Sequence, residues 1–273
     1  MLKIVAIIAI RNEEAVLANC LRHLNKEGIR YAVIDHGSSD RSAEILQSAE
    51  FSAHLLLYEH LPYRDVYDLD ELLAAKHRII PRLSADWIIH HDADEMMHSY
   101  EKGELLVEAI SRIAAQGYNV INFDEFVFLP IEEEYSENVP GFPPILTYYF
   151  HEPQKHRLMR AWKSGLQATH LAGHRLIGEH VRLAPESLAL RHYIFRSQEH
   201  AFQKYQQRPF AQGNIEKGWH RNRVNQDLRR FKFPAASELQ KLHCPERRKL
   251  SREMPRRTHY WQWEAERLLP HGR

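Results

Sequence analysis

The chain has 273 residues, 44% of them hydrophobic and 27% charged, the composition of a soluble globular protein long enough to bury a core without staples. Its two cysteines, Cys20 and Cys244, form no Cys-x-x-Cys pair, which excludes a cysteine metal site and makes both reduced packing residues. The net charge of +1 is uneven: residues 1–195 hold 19 Lys and Arg against 28 Asp and Glu (net −9), and residues 196–273 hold 18 against 8 (net +10). That basic third either meets a phosphate-bearing substrate or an anionic membrane surface, or pairs with the acidic part of its own fold.

In chain order, residues 3–10 read as a buried strand, because β-branched residues dominate a short apolar run. The run is too short to span a bilayer and has no small-residue cleavage site after it, so it is not a signal peptide and a cytoplasmic protein is expected. Residues 13–25 follow as a helix, with Val16, Leu17, Cys20, Leu21 and Leu24 on one face. A strand at 31–34 closes in Asp35-His36-Gly37-Ser38-Ser39-Asp40, and Ser39 or Asp40 would cap a short helix. Then come a strand at 54–58, a helix at 68–83 ending near Pro81, a strand at 87–89 running into His90-His91-Asp92-Ala93-Asp94-Glu95, a helix at 103–115 and a strand at 119–129.

Strands alternating with helices predict an α/β fold: a Rossmann-like, mostly parallel sheet with helices on both faces. Ligands in such sheets bind at the carboxyl ends of the strands, where the polar clusters 11–13, 35–40 and 92–95 all fall. The second half is less regular. Residues 130–144 read as a loop able to cover a site, 156–162 as a strand, 199–212 as a helix, and the chain past Phe233 as short helical pieces broken by prolines. The predicted division is one domain over 1–215, with a regular half at 1–130 and a less regular half at 131–215, and a helical, basic extension at 216–273.

Asp92 and Asp94 are one residue apart, so in extended chain both carboxylates face one side. Oxygen donors suit Mg²⁺ or Mn²⁺, and such ions take one or two protein carboxylates and complete their shell with phosphates and water. The alternative is a solvated acidic turn. Asp35 can accept hydrogen bonds from a base or ribose beside a helix N-terminus that favours anions, or it is a simple turn residue. His192 offers a neutral imidazole as a third ligand, or is an ordinary histidine among 19.

Three stretches together resemble glycosyltransferase family 2 and its relatives with the GT-A fold: Ile7-Ile8-Ala9-Ile10-Arg11-Asn12-Glu13-Glu14, Val33-Ile34-Asp35-His36-Gly37-Ser38-Ser39-Asp40, and Trp87 to Asp92-Ala93-Asp94-Glu95. They look like the family's opening strand and loop, its aspartate-glycine-serine turn and its DxD motif. Leu171-Ala172-Gly173-His174 and Leu190-Arg191-His192-Tyr193 are similar to a less familiar branch. The resemblance implies a glycosyltransferase that moves a sugar from a UDP- or GDP-sugar to an acceptor hydroxyl, with inversion and with Mn²⁺ or Mg²⁺ as cofactor. It implies that Arg11, Asn12, Glu13, Asp35, Ser38, Asp40 and Asp92 line the nucleotide pocket and that Asp92, Asp94 and His192 hold the ion. The acceptor it implies is a carbohydrate or lipid-linked molecule of bacterial surface polysaccharide synthesis, reached with peripheral contact to an anionic membrane.

The family's glutamate-aspartate pair, which supplies its base, is absent; Glu125, His174 and Glu179 are the candidates here, in no order. Two other readings stand beside this one: a metal-dependent phosphohydrolase using His90-His91-Asp92, and an inactive nucleotide-sugar-binding protein. The aromatic tail Tyr260-Trp261-Gln262-Trp263 is expected to pack rather than to bind, and no motif for nucleic-acid binding is present.

Overall fold

The computed structural model describes residues 2–131, 145–171, 173–205, 208–219, 232–246 and 248–263. The opening apolar run is strand β1 (Ile4–Ile10). Ile4, Ala6, Ile8 and Ile10 pack into one core cluster and Val5 and Ile7 into another, so the strand is covered on both faces, as a central strand of a parallel sheet must be. Helix α1 (Glu14–Lys26) turns Val16, Leu17, Cys20, Leu21 and Leu24 inward. Strand β2 (Arg30–Asp35), helix α2 (Ser42–Gln47) and strand β3 (Leu55–His60) follow. Helix α3 (Leu69–Ile79) is capped by Asp68, whose side chain accepts from the Asp70 and Glu71 N–H groups. Its last residues tighten into a 3-10 turn over Ile80–Arg82, because Pro81 has no N–H to continue the α-helix.

Strand β4 (Trp87–Asp92) pairs with β1 in parallel, as does β2, and β2 with β3. This parallel half was readable in the sequence. Its registers place Asp35 opposite Ile10 and Asp92 opposite Ala9, so three strands end together. Helices α1, α2 and α4 (Leu106–Ala115) cover one face, and α3 covers the other.

Beyond β4 the sheet becomes mixed. Strand β5 (Glu95–His98) begins immediately after the DxD turn. Strands β6 (Val120–Phe128), β7 (Thr147–His151), β8 (Leu158–Lys163) and β11 (Leu188–His192) complete the ten-stranded sheet with β12 (Gln240–Lys241). The pair β9 (Thr169–Leu171) and β10 (Arg175–Ile177) forms a separate ribbon. β11 runs parallel to β6 and antiparallel to β5. Strands β5, β7, β9, β10, β11 and β12 had no counterpart in the sequence reading, since their runs are short and all but the β9–β10 pairing are non-local.

Other expectations shift. The helix expected at 199–212 ends as α5 (Gln198–Tyr205), and a second short helix, α6 (Gln212–Glu216), follows, because Pro209 and the bridge of Phe210 to Tyr67 break the path. Arg41, not Ser39 or Asp40, occupies the N-cap position of α2, although Asp40 still accepts from the Ser42 N–H at 2.9 Å. Within 216–273 the described residues hold 3-10 turns at Ala236–Glu238 and Tyr260–Gln262 and strand β12 rather than α-helices. The basic segment also pairs with the acidic part of the fold, for Arg248 clasps Glu27 at 2.6 Å. Trp261 and Trp263 are buried in a cluster with Tyr149 and Phe195, as expected of packing residues. Cys20 is buried but Cys244 is exposed and donates to Glu246, so only the first is a packing residue. The expected loop at 130–144 lies outside the described residues from position 132 onward. No helix among the described residues is long and apolar enough to cross a membrane.

Candidate functional site

Two loops meet at the ends of β1 and β2, and their polar groups mostly satisfy one another. The Asn12 N–H donates to Ser38 Oγ at 3.0 Å and the Ser39 N–H to Asn12 Oδ1 at 2.8 Å. Asp40 accepts from the N–H groups of Glu14 and Ser42, both at 2.9 Å, so one carboxylate serves the first turns of α1 and α2. Asp35 is buried and accepts from the Ser38 N–H and the Tyr58 hydroxyl, each at 2.8 Å. Gly37 has φ +63 and lies so close to Tyr63 that a Cβ would come within 2.9 Å of that side chain, so only glycine fits the turn. Arg11 donates to the His36 and Gly37 carbonyls and stacks on Tyr63, its guanidinium carbon 3.2 Å from the ring centre.

The DxD turn is built differently. Asp92 and Asp94 face cations delivered from far along the chain. Asp92 Oδ1 lies 3.5 Å from Lys76 Nζ and Oδ2 lies 3.2 Å from Arg160 Nη2. Arg160, on β8, also donates to Glu95 at 2.8 Å, and both of those side chains are buried. Lys76 further contacts His90 Nε2 at 2.8 Å and the His91 carbonyl at 3.3 Å. Asp94 Oδ2 is held by Lys204 Nζ of α5 at 2.5 Å and lies 3.5 Å from His192 Nε2. The Tyr193 N–H donates to the Asp94 carbonyl at 2.8 Å, which fixes the turn against β11.

His192 is oriented from behind. Its Nδ1 is 2.6 Å from Glu125 Oε1, and Arg157 binds the other oxygen of that carboxylate. Asp94, His192, Glu125 and Arg157 therefore form one chain of contacts across the DxD turn, β11, β6 and the residue before β8. A carboxylate behind an imidazole fixes its tautomer and leaves Nε2 facing outward.

The fields follow from these contacts. Burial works against ionisation of Asp94, but Lys204 and His192 override it and hold the carboxyl well below the usual range. Burial likewise opposes Asp92, whose side chain is still 39% exposed, and Lys76 and Arg160 bring it below the ordinary value. Burial pushes Glu95 up to about 7, against the pull of Arg160. Glu13 is also raised by burial to about 7, with Lys204 opposing and Asp94 adding to the shift, which places Glu13 in the field of the DxD turn. Burial lowers His90 to about 3, helped by Lys76.

Of the residues singled out in the sequence, Glu13, Asp92, Asp94, His192 and Glu125 come together here. His174 joins them, since Asp92, Arg160 and His90 act on it and burial lowers it far below its usual value. Its Nδ1 is buried without a hydrogen-bond partner. Preceding it, Gly173 lies against His90, and a Cβ there would come within 2.7 Å of that ring. Asn12, Ser38 and Asp40 knit the neighbouring loops, and Glu179 is on the exposed loop after β10. The sequence reading missed Lys76, Glu95, Arg157, Arg160 and Lys204. Two of these left a signal: Lys76 sits on the buried stripe of α3 with Leu72, Ala75 and Ile79, and Arg160 interrupts the apolar run of β8. A charge in such a place needs a partner.

Asp94 and His192 form a hard-oxygen and imidazole donor pair of suitable spacing for Mn²⁺ or Mg²⁺. Asp92 turns to its cations, and no group of three or more His, Cys, Asp or Glu that could hold an ion occurs among the described residues. The pair thus fits an ion that takes its remaining ligands from a diphosphate and water. A cavity of about 1960 Å³ lies elsewhere, lined by Tyr100, Asp124, Arg191 and Arg248 and by none of the DxD carboxylates. The strand-end cluster is the better site because the titratable groups converge there.

A parallel half-sheet with acidic loops at its strand ends is the α/β arrangement expected from the sequence. Residues 5–125 match the model of the family described as Glycosyl transferase family 2. Among solved structures, Staphylococcus aureus TarS 1–349 is 11% identical, with a TM-score of 0.43 over 70% of this chain and 60% of that one. The complex of TarS 1–349 with UDP-GlcNAc is 12% identical, with a TM-score of 0.43 over 72% and 60%. The mannosyltransferase PcManGT of Pyrobaculum calidifontis, in complex with GDP-Man and Mn²⁺, is 14% identical, with a TM-score of 0.34 over 49% and 37%. The chain spans about 60% of the length of TarS 1–349. No curated protein matches significantly.

Proposed function

We propose that the chain transfers a sugar from a nucleoside-diphosphate donor to an acceptor hydroxyl, with a divalent ion held by Asp94 and His192. The observation that carries this reading is the Asp94–His192 pair, 3.5 Å apart and backed by Glu125 at 2.6 Å, on a turn inside the family 2 match. When bound, Mn²⁺ or Mg²⁺ neutralises the charge that grows on the departing diphosphate. Asp92 keeps Lys76 and Arg160 beside that charge, and fixed cations need no reorganisation as the anomeric bond breaks. Arg11 and its Tyr63 stack, with Glu13, line the nucleotide side.

His174 is our choice for the group that accepts the acceptor's hydroxyl proton. Supporting it is an imidazole kept neutral by burial and set in the field of Asp92, Arg160 and His90. Glu125 has both oxygens engaged by His192 and Arg157, and Glu179 lies on the exposed loop after β10. Inversion at the anomeric carbon and an acceptor in surface polysaccharide synthesis, with peripheral contact to an anionic membrane through the basic third, complete the proposal.

Titration calorimetry of UDP and GDP, with and without Mn²⁺, tests the reading on wild type and Asp94→Asn. Binding of one diphosphate only with Mn²⁺, lost about 100-fold or more in the variant, is expected. Metal-independent binding that survives Asp94→Asn would remove the ion from the proposal, and hydrolysis of a phosphate ester without sugar transfer would decide for the hydrolase.

A further inference from the structure

The cations around the DxD turn are of two kinds. Lys76 and Arg160 are locked: Lys76 is buried and contacts His90, the His91 carbonyl and Asp92, and Arg160 bridges Asp92 and Glu95. Lys204 reaches the turn from the last turn of α5, on a flexible four-carbon stem. Its Nζ holds Asp94 Oδ2 at 2.5 Å and donates to the Ile194 carbonyl at 3.2 Å, and its side chain is 14% exposed. That same Oδ2 faces His192 Nε2. The lysine ammonium thus sits on the oxygen that an ion between Asp94 and His192 must use. A Mg²⁺-like ion binds its oxygens at about 2.1 Å. With the ammonium also on that oxygen, the two cations would stand within about 4 Å in a partly buried site, where repulsion is much stronger than in water.

We infer that Lys204 is the resident counter-ion of Asp94, competing with the divalent ion for its Oδ2, and that ion loading hands Lys204 to an oxygen of the donor diphosphate. The inference rests on the reading of Asp94 and His192 as ion ligands. Asp94 is 10% exposed in its side chain, so it needs a cation at all times: removing one partner of a buried pair leaves an uncompensated charge. Lys204 supplies it when no divalent ion is bound. Once the ion takes over, the diphosphate brings new negative charge within reach of the displaced ammonium. Two adjoining groups fit this exchange. Glu13 lies in the field of both Lys204 and Asp94, and Arg196 acts on both carboxylates, so the pocket stays close to charge balance while Lys204 moves. Donor and ion then bind with mutual help, each removing the obstacle to the other.

The test is Mn²⁺ titration without nucleotide, followed by the nucleoside diphosphate at saturating Mn²⁺, on wild type, Lys204→Gln and Lys204→Arg. Lys204→Gln removes the competing charge and is expected to bind Mn²⁺ about tenfold or more tightly, while Lys204→Arg stays near wild type. The same Gln variant is expected to bind the diphosphate about tenfold more weakly. Should Lys204→Gln prove unstable, the rise in its unfolding midpoint on adding Mn²⁺ gives the same answer and is expected to exceed that of wild type. Unchanged or weaker Mn²⁺ affinity in Lys204→Gln, or unchanged diphosphate affinity, overturns the inference while wild type still binds both. A wild type that binds neither UDP nor GDP with Mn²⁺ overturns it together with the function proposed above.

Discussion

The two acidic loops at the strand ends have opposite constructions. In the Asp35 to Ser42 loop and its neighbour at Arg11 to Glu14, most polar side chains close on backbone N–H groups a few residues or one strand away. In the Asp92 to Glu95 turn, every carboxylate is met by a charge from a distant element: Lys76 on α3, Arg160 on β8, Lys204 on α5. Locally satisfied polar groups make a rigid wall, and long-range ion pairs make a site whose charge balance can be rearranged. An acidic cluster in a sequence therefore says little about chemistry until its counter-ions are known.

The largest effect that would test this contrast is Arg160→Leu. It leaves Asp92 and the buried Glu95 without their shared cation, and a loss of about 3–5 kcal/mol is expected from breaking such a buried pair, read by urea denaturation. A loss below about 1 kcal/mol would place Arg160 among ordinary surface ion pairs. Next is Glu125→Gln, which keeps the shape but removes the charge behind His192. Mn²⁺ affinity is expected to fall about 10–100-fold, as for other partners of a metal-bound imidazole. An unchanged affinity, with only acceptor kinetics altered, would return Glu125 to the role of base.

On the locally satisfied side, Asp40→Ala removes acceptors from the first turns of two helices. About 1 kcal/mol of stability should go with them, visible in thermal unfolding. Lost nucleotide affinity at unchanged stability would make Asp40 a donor ligand and erase the contrast between the loops.

The smallest and broadest effect is on pH. Burial lowers His90 and His91 to about 3, His151 to about 4 and His200 to about 3. Unfolded, these groups titrate near 6.5, so between that value and about 3–4 the unfolded chain binds more protons and stability falls as pH falls. Glu13 and Glu95, both raised to about 7, act the other way, since their stabilising contribution is complete below about 4.5 and is lost as pH rises through 7. With these and other lowered histidines, His170 among them, outnumbering the two glutamates, denaturation at pH 5.5 is expected to require less urea than at pH 7. Replacing His91 with Asn should flatten the slope, and an unchanged slope would remove it from the account.

The amino-acid sequence by itself determined the parallel half of the fold. β1, β2 and β4 are short apolar runs, α1 and α4 carry a helical apolar stripe, and each signal lies within one element. The turns at Asp35 and Asp92 were legible for the same reason, since glycine and paired aspartates mark strand ends locally. Tertiary structure alone decided the rest. β5 exists because it pairs with β11 some 90 residues away, and β11 in turn pairs with β6, 65 residues before it, which no window of sequence records. The pairing of Glu125 with His192, and of Lys204 with Asp94, joins residues 67 and 110 positions apart. Ion pairs of that span depend on where strands and helices come to rest, and only the folded chain brings their charges within reach.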